Sequence, residues 1–386
     1  MNEKDTNKER YRSSRVLLLS HYATTAMQDF LTLYLNDHKT QYVAAIKFPL
    51  PEIPLLTHIE VYEYRYGKKI ATKNIRTYVG HPSLTYILHF LQGLWVLFRM
   101  RHQSFDLVIA QNSLLALIAI FFRRIGGCKR VIFYSHGIAK KRFSGAKMNV
   151  LYRLLDGFAY ANSDINWALS NDIQISRRMK EQKPIRVIPA NVPVALFPRR
   201  HKKLETPTLV FIGTLNRMNG ADLLPDILKE IHKYEPSFRL DIIGVGSEEA
   251  IILNKVKKFS LENYVRLHGY QDIFTYASKL GSYLCGLAPY RKDDSSLLTT
   301  TDPMKIQIYA AAGIPTIVTK GYSFSKRVIK YGTGIVVPGD PCSFAKGVLD
   351  LYKDKKKHTH ICTQSRLYAE KNDIYKIYEY EFAKAL

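Results

Sequence analysis

The sequence is short of acid. Its 386 residues hold 33 Asp and Glu against 57 Lys and Arg, a net charge of +24. The shortage is uneven: residues 1–200 carry 30 basic and 13 acidic side chains, and residues 201–386 carry 27 and 20. Between Tyr86 and Lys147 ten Lys and Arg meet one acid, Asp106. Such a field attracts nucleic acid, an anionic membrane face or phosphorylated substrates. Its concentration in one half favours membrane attraction over a merely soluble basic surface. No recognisable module interleaves basic and aromatic residues, so nucleic acid is not the expected partner. Cysteine is scarce as well. The four (Cys128, Cys285, Cys342, Cys362) form no CxxC pair and have no His at ligand spacing, which argues against disulfides and structural zinc and suits a reducing cytosol. A leader is not expected, because the polar MNEKDTNKERYRSSR precedes an apolar run of only four residues, Val16–Leu19. Long apolar runs are missing too. The nearest, Leu84–Met100, has 17 residues and is interrupted by His89, Gln92 and Arg99. It reads as a buried helix, an interfacial helix or a span, and the basic stretch after it favours the first two.

What is present reads as a soluble core: 46% hydrophobic and 23% charged, with a length for two or at most three domains. Short β-branched runs recur at Val16–Ser20, Tyr42–Phe48, His58–Tyr64, Asp106–Gln111, Arg130–His136, Ile165–Ser170 and Ile185–Pro189. Helical periodicity lies between many of them, at Thr24–Leu35, Leu84–Met100 and Val150–Ala161. A proline-rich, basic stretch then breaks the pattern, PANVPVALFPRRHKKLETP, before the alternation restarts. The later strands are Thr208–Gly213, Arg239–Gly244, Val265–Gly269, Tyr283–Tyr290, Pro315–Thr319 and Gly334–Pro338, with helices at Asp302–Ala312 and Pro341–Tyr352. Alternating strands and helices predict an α/β chain with two parallel, Rossmann-like sheets. The expected layout is an N-terminal domain over 1–190, a linker over 191–207, a C-terminal domain over 208–356 and a helix over 357–386.

Three segments of the second half carry candidate chemistry. In FIGTLNRMNGADLL a strand ends at Gly213 and a helix begins near Gly220, so the backbone can approach a phosphate over Thr214, Arg217 and Asn219. In LDIIGVGSEEAI and VRLHGY, Gly244 and the His268-Gly269-Tyr270 strand end suggest contact with a base or ribose. Each of these is more often structural when it stands alone. The third, TTTDPMKIQIYAAAGIPTIVT, is the most informative. A polar turn with Asp302 opens a helix at Pro303, where proline suits the first position. The first-turn N–H groups near Met304 and the Lys305 ammonium then form a pocket for a diphosphate. A lysine there opposes the helix dipole, which a purely structural helix would avoid. In the first half, His136 ends a buried strand before Gly137 and is the catalytic candidate, as general base or hydrogen-bond donor with a pKa near neutrality.

In this order the segments resemble GT-B glycosyltransferases, especially family 4 and relatives acting on bacterial surface polysaccharides. DPMKIQIYAAAGIPTIV resembles their Pro-x-Lys-x-x-x-Tyr-x-Ala-x-Gly-x-Pro segment, which adds Tyr309 to the donor residues, and PANVPVALFP resembles their hinge. FYSHGIAKKRF and the residues to DGFAYANSDINWALSNDI resemble their His-Gly loop and the elements after it, and the final helix resembles one that crosses back to the N-domain. The resemblance spans about Phe105 to the C-terminus. It implies that His136 touches the donor sugar or its phosphate, with Lys305 on the diphosphate. Outside the resemblance, His21 after the first strand is a weaker catalytic candidate, as is Asp302, and His21 and Arg142 are the candidates for the acceptor side. Two departures stand out: Thr214 and Asn219 replace basic or amide residues of the phosphate loop, and Ile308 replaces the ribose-binding Glu. An Ile accepts no hydrogen bond, leaving Arg217 and Arg291 to supply charge. The expected function is transfer of a sugar from a nucleoside-diphosphate sugar to a lipid-linked, polyprenyl-type glycan, by a cytoplasmic protein peripheral on the inner membrane face. No metal and no cofactor are expected. The alternative is a non-catalytic GT-B-like partner that binds glycan.

Overall fold

The computed structural model describes residues 9–21, 25–50, 57–136, 146–178, 183–199, 205–291 and 303–386. The chain forms two compact units, one from Met1–Pro189 with Tyr375–Leu386, the other from Ala190–Ile374.

The first unit runs β1 (Arg15–His21), α1 (Thr25–Asp37), β2 (Tyr42–Phe48), β3 (His58–Arg65), β4 (Lys68–Arg76), α2 (Pro82–Met100), β5 (Phe105–Ala110), α3 (Ser113–Arg124), β6 (Cys128–Ser135), α4 (Ala146–Asn162), β7 (Ile165–Ala168), α5 (Asn171–Arg178) and β8 (Ile185–Val187). Its sheet has the order β4-β3-β2-β1-β5-β6-β7-β8. β1, β5 and β6 are buried on both faces, which is why they read as continuous apolar runs. The expectation of an all-parallel sheet is corrected at one edge, where β3 runs antiparallel to both β2 and β4. Tyr66 and Gly67 turn that hairpin with φ of 48° and 80°, the positive pair that a tight two-residue connection requires. β4, KKIATKNIR, is mostly exposed. Its lysines suit a solvated edge and hide the strand from an apolar pattern. No helix among the described residues is long and apolar enough to cross a membrane. Instead α2 packs on α3, where a Cβ on Gly93 would stand 2.7 Å from Ile118 Cδ1.

The second unit runs β9 (Thr208–Ile212), α6 (Leu224–His232), β10 (Arg239–Ile243), α7 (Glu249–Lys258), β11 (Val265–Leu267), α8 (Ile273–Tyr276), β12 (Cys285–Ala288), α9 (Met304–Ala311), β13 (Thr316–Thr319), α10 (Ser323–Tyr331), β14 (Gly334–Val337), α11 (Pro341–Lys353) and α12 (Lys355–Lys371). All its strand pairs are parallel, in the order β11-β10-β9-β12-β13-β14. The direction of winding reverses between β9 and β12, and in such sheets ligands bind at the carboxyl ends of the strands flanking that switch point.

The segment expected to return to the first unit is shorter than 357–386. α12 stays with the second unit: Arg366 Nη1 donates to Ala311 O at 2.6 Å and Phe197 O at 2.8 Å, and a His358 ring nitrogen meets Leu284 O at 2.8 Å. Only α13 (Ile374–Ala385) joins the first unit. There Tyr378 and Phe382 are fully buried beside Tyr34, with Phe382 edge-on to Trp167. Arg186 pairs with Glu381 at 2.7 Å, and Arg130 donates to Ala385 O.

Candidate functional site

The carboxyl ends of β9 and β12 bring together what the sequence set 92 positions apart, Gly213 and Lys305. A Cβ built on Gly213 would stand 3.3 Å from both Cε and Nζ of Lys305. Phe211 lies two residues before Gly213 on β9, hence on the same face of the strand, and the Lys305 Nζ sits over its ring at 4.1 Å. Tyr290, just past β12, offers a second ring at 4.8 Å. The lysine is 7% exposed, and its Nζ has no hydrogen-bond partner among the described residues. Burial pulls its pKa down to about 7.

Lys305 is the second residue of α9. Pro303 is the N-cap, one position before the helix, where the sequence placed it inside; its φ of −66° and ψ of 120° are extended. Among the described residues no side chain caps the helix, and its first turn holds no acid. A dipole end and a buried lysine with no hydrogen-bond partner among the described residues therefore coincide, an arrangement complementary to a dianion. Met304 and Pro303 border the same turn, half-buried. Asp302 and, in the first unit, Arg142 lie outside the described residues.

Several other candidates turn out to build the site without lining it. Tyr309 is corrected from a donor contact to a core residue. It is fully buried, its hydroxyl accepts the Ile212 N–H at 3.0 Å and meets Leu287 O at 3.2 Å, and its ring lies where a Cβ on Gly286 would be, 2.4 Å away. Gly220 and Gly244 are glycines because backbone approaches them: a Cβ would stand 1.8 Å from Pro289 O and 2.0 Å from Gly213 O respectively. Asn219 braces the loop, donating its side-chain N–H to Thr214 O at 2.9 Å while its backbone N–H donates to Asn216 Oδ1 at 2.8 Å. Arg291 is already paired with Asp222, so the exposed Arg217 and Thr214 are what the loop presents to solvent. Gly269 has a φ of +67° with open space where a Cβ would be, and Tyr270 beside it is exposed. Their neighbour His268 faces Asp241 at 3.2 Å. Ile308 is buried in α9. The sequence reading missed Phe211 and Tyr290 as the walls around the ammonium; the two-residue period of the strand was the available signal for the first.

In the first unit, His21 ends β1, Asn112 follows β5 and His136 follows β6, along one edge of the sheet. The Asn112 side-chain N–H donates to His21 Nδ1, which leaves the ring proton on Nε2, while Asn112 Oδ1 caps α3 through the Leu115 N–H. His136 packs edge-on against Tyr134 at 4.4 Å, and its Nε2 has no partner among the described residues. Burial pushes its pKa down to about 4, correcting the expected near-neutral value. It is uncharged at neutral pH and suited to hydrogen bonding.

Two doubly wound parallel units, with the last helix packed on the first, form the GT-B fold. The chain is similar in structure to a sucrose-phosphate synthase from Thermosynechococcus elongatus (TM-score 0.67, 14% identity, 96% of this chain and 98% of that one). It is similar to Anabaena HepE in complex with UDP (TM-score 0.64, 14% identity, 96% and 98%) and to the pneumococcal O-GlcNAc transferase GtfA in complex with UDP and GlcNAc (TM-score 0.59, 14% identity, 86% and 74%). Residues 206–354, most of the second unit, match the family model for Glycosyl transferases group 1. A search of curated proteins gives no match.

Proposed function

We propose that the protein is a glycosyltransferase that takes a sugar from a nucleoside-diphosphate sugar and passes it to a membrane-associated, lipid-linked glycan. The observation that carries the donor half is the buried Lys305 beside Gly213 at the start of α9, with neither a partner for its Nζ nor a side-chain cap on the helix among the described residues. A diphosphate seated there would meet N–H groups and an ammonium whose effect grows as charge develops on the leaving phosphate. The family match over residues 206–354 and the UDP-bound relatives support the same reading. His136, neutral and facing no partner, is suited to hydrogen-bond the sugar or its phosphate.

The acceptor half rests on the surface of α2, α3 and α4. Leu84, Ile87, Leu91, Trp95 and Phe98 line the exposed side of α2, and Leu151, Leu154 and Phe158 that of α4. The charged residues of these three helices are Arg99, Arg123, Arg124, Lys147, Arg153 and one acid, Asp156, which is buried against Ser113. Arg99 and Arg101 lie over the Trp95 and Phe98 rings at 4.2 and 4.0 Å. An apolar face with basic residues and no exposed acid fits an anionic bilayer surface, which supports a peripheral protein on the inner membrane face.

Calorimetric titration with nucleoside diphosphates and nucleotide sugars tests the donor assignment. Lys305→Ala should weaken binding by about 10- to 100-fold, the worth of a charge-assisted hydrogen bond, with the fold intact by circular dichroism. Wild-type affinity for every nucleoside diphosphate in that variant would sink the assignment.

A further inference from the structure

The first unit contains an open-mouthed cavity of about 360 Å³ bordered chiefly by α2, α3 and α4. Its walls are apolar, with Tyr86, Phe90, Leu114, Leu117, Leu151 and Leu155 among them. Its inner end reaches the carboxyl edge of the sheet, where it meets His21 and Asn112. Its outer end reaches the exposed apolar surface, because Ile87, Leu91, Leu151 and Leu155 belong to both, at 59%, 56%, 47% and 38% exposure. Behind the wall His89 is buried and held neutral, its pKa pushed down to about 4. Among the described residues, no charged side chain lines the cavity.

An apolar cleft of this depth, open at one side to solvent, leaves hydrophobic surface that packing would normally cover. Water gains little here, since a stable internal water needs two to four polar partners and these walls offer few. The volume equals that of about a dozen liquid waters at ~30 Å³ each, room for a short length of hydrocarbon chain. The surface at its mouth is the one whose basic residues and exposed apolar side chains suit an anionic bilayer.

We infer that this cavity binds the first segment of a single aliphatic chain of the membrane-borne acceptor, drawing it out of the bilayer so that the polar head emerges at the His21–Asn112 edge of the sheet. The inference takes its acceptor from the transferase reading and adds a site to it. A straight acyl chain and a methyl-branched prenyl chain share the relevant chemistry, and the probes separate them.

The full chain is titrated calorimetrically, below micelle-forming concentrations, with farnesyl phosphate, dodecyl phosphate and inorganic phosphate. One or both of the chain-bearing phosphates should bind in a one-to-one ratio, with inorganic phosphate showing no heat. Leu117→Trp fills the cavity from its wall; Leu155→Trp fills it from a position exposed enough to tolerate the change without loss of the fold. Each should weaken binding about tenfold or more, as expected when a few methylenes lose their burial. Failure of both chain-bearing probes to bind overturns the inference, as does equal binding by both variants or by inorganic phosphate. If the chains bind as expected but wild-type protein takes up no nucleotide, the transferase reading fails and the cavity assignment stands. Nucleotide binding without chain binding sinks the cavity assignment alone.

Discussion

Lys305 should take up a proton when the donor binds. With its pKa lowered to about 7 by burial, the amine is half charged at pH 7 and about one-tenth charged at pH 8 by simple titration. A diphosphate beside it favours the charged form and lifts that pKa well clear of the range. Uptake per donor bound is then about 0.1 proton at pH 6, 0.5 at pH 7 and 0.9 at pH 8, and apparent affinity falls toward tenfold per pH unit above 8. The measurement is calorimetry in buffers of different ionisation heat, using a nucleotide sugar, whose diphosphate has no proton to exchange in this range. Lys305→Met is the blank. The same shift acts on stability. A lysine whose folded pKa lies below its ordinary 10.5 destabilises the fold fully below pH 7, and the penalty is relieved as pH rises from 7 toward 10.5. The upper bound is about 5 kcal/mol, from 3.5 pKa units at ~1.4 kcal/mol each. Lys305→Met should therefore be the more stable protein in urea at pH 6, by up to a few kcal/mol, and lose that advantage by pH 10. Tight donor binding at pH 8 without proton uptake would refute the reasoning, as would a stability difference that does not change with pH.

Tyr309→Phe removes a hydroxyl that receives the Ile212 N–H and reaches Leu287 O; it should cost about 1–3 kcal/mol of stability while nucleotide affinity per folded molecule stays at wild type. A drop in affinity larger than in stability would restore Tyr309 to the donor site. Trp95→Ser with Leu91→Ser should weaken sedimentation with vesicles containing anionic lipid. Binding of the wild type should fall with added salt, as about 1 kcal/mol per basic residue near the surface is screened; salt-independent binding argues against the basic rim. Phe382→Ala opens a space among Tyr34, Trp167 and Tyr378 and should cost about 3–5 kcal/mol, read as a lower midpoint in denaturant. No loss would mean that α13 is not part of the first unit's core.

The frame of the molecule was legible because parallel strands buried on both faces leave unbroken apolar runs, and those of β1, β2, β5 and β6 stand out from the chain. β4 was not, since an edge strand rich in lysine looks like a loop. The end of the second unit was misplaced for a related reason: α12 and α13 both read as helix, and only the arginine and histidine contacts of α12 to Ala311, Phe197 and Leu284 tell them apart. Lys305 stood out through its conflict with the helix dipole, and the structure places it buried at the start of α9. The packing of Tyr309, Gly220, Gly244 and Asn219 was not legible, because a tyrosine or glycine that shapes a loop from below has the same spacing as one that lines its surface. The near-neutral pKa expected for His136 failed because the depth of a strand end cannot be read from one sequence. The cavity had no linear signature; its walls come from three helices that sequence alone does not bring together.

Placing α13 in the first unit has a consequence for how the protein is made. Tyr378 and Phe382 are translated after the whole of the second unit, yet they fill the first unit's interior beside Trp167 and Tyr34. The N-terminal sheet emerges from the ribosome early but waits, with part of its aromatic core uncovered, until some 190 further residues have followed. During that interval the second unit, contiguous in sequence, can finish first. A chain interrupted anywhere before residue 378 would leave the first unit's aromatic core open however complete its own sheet.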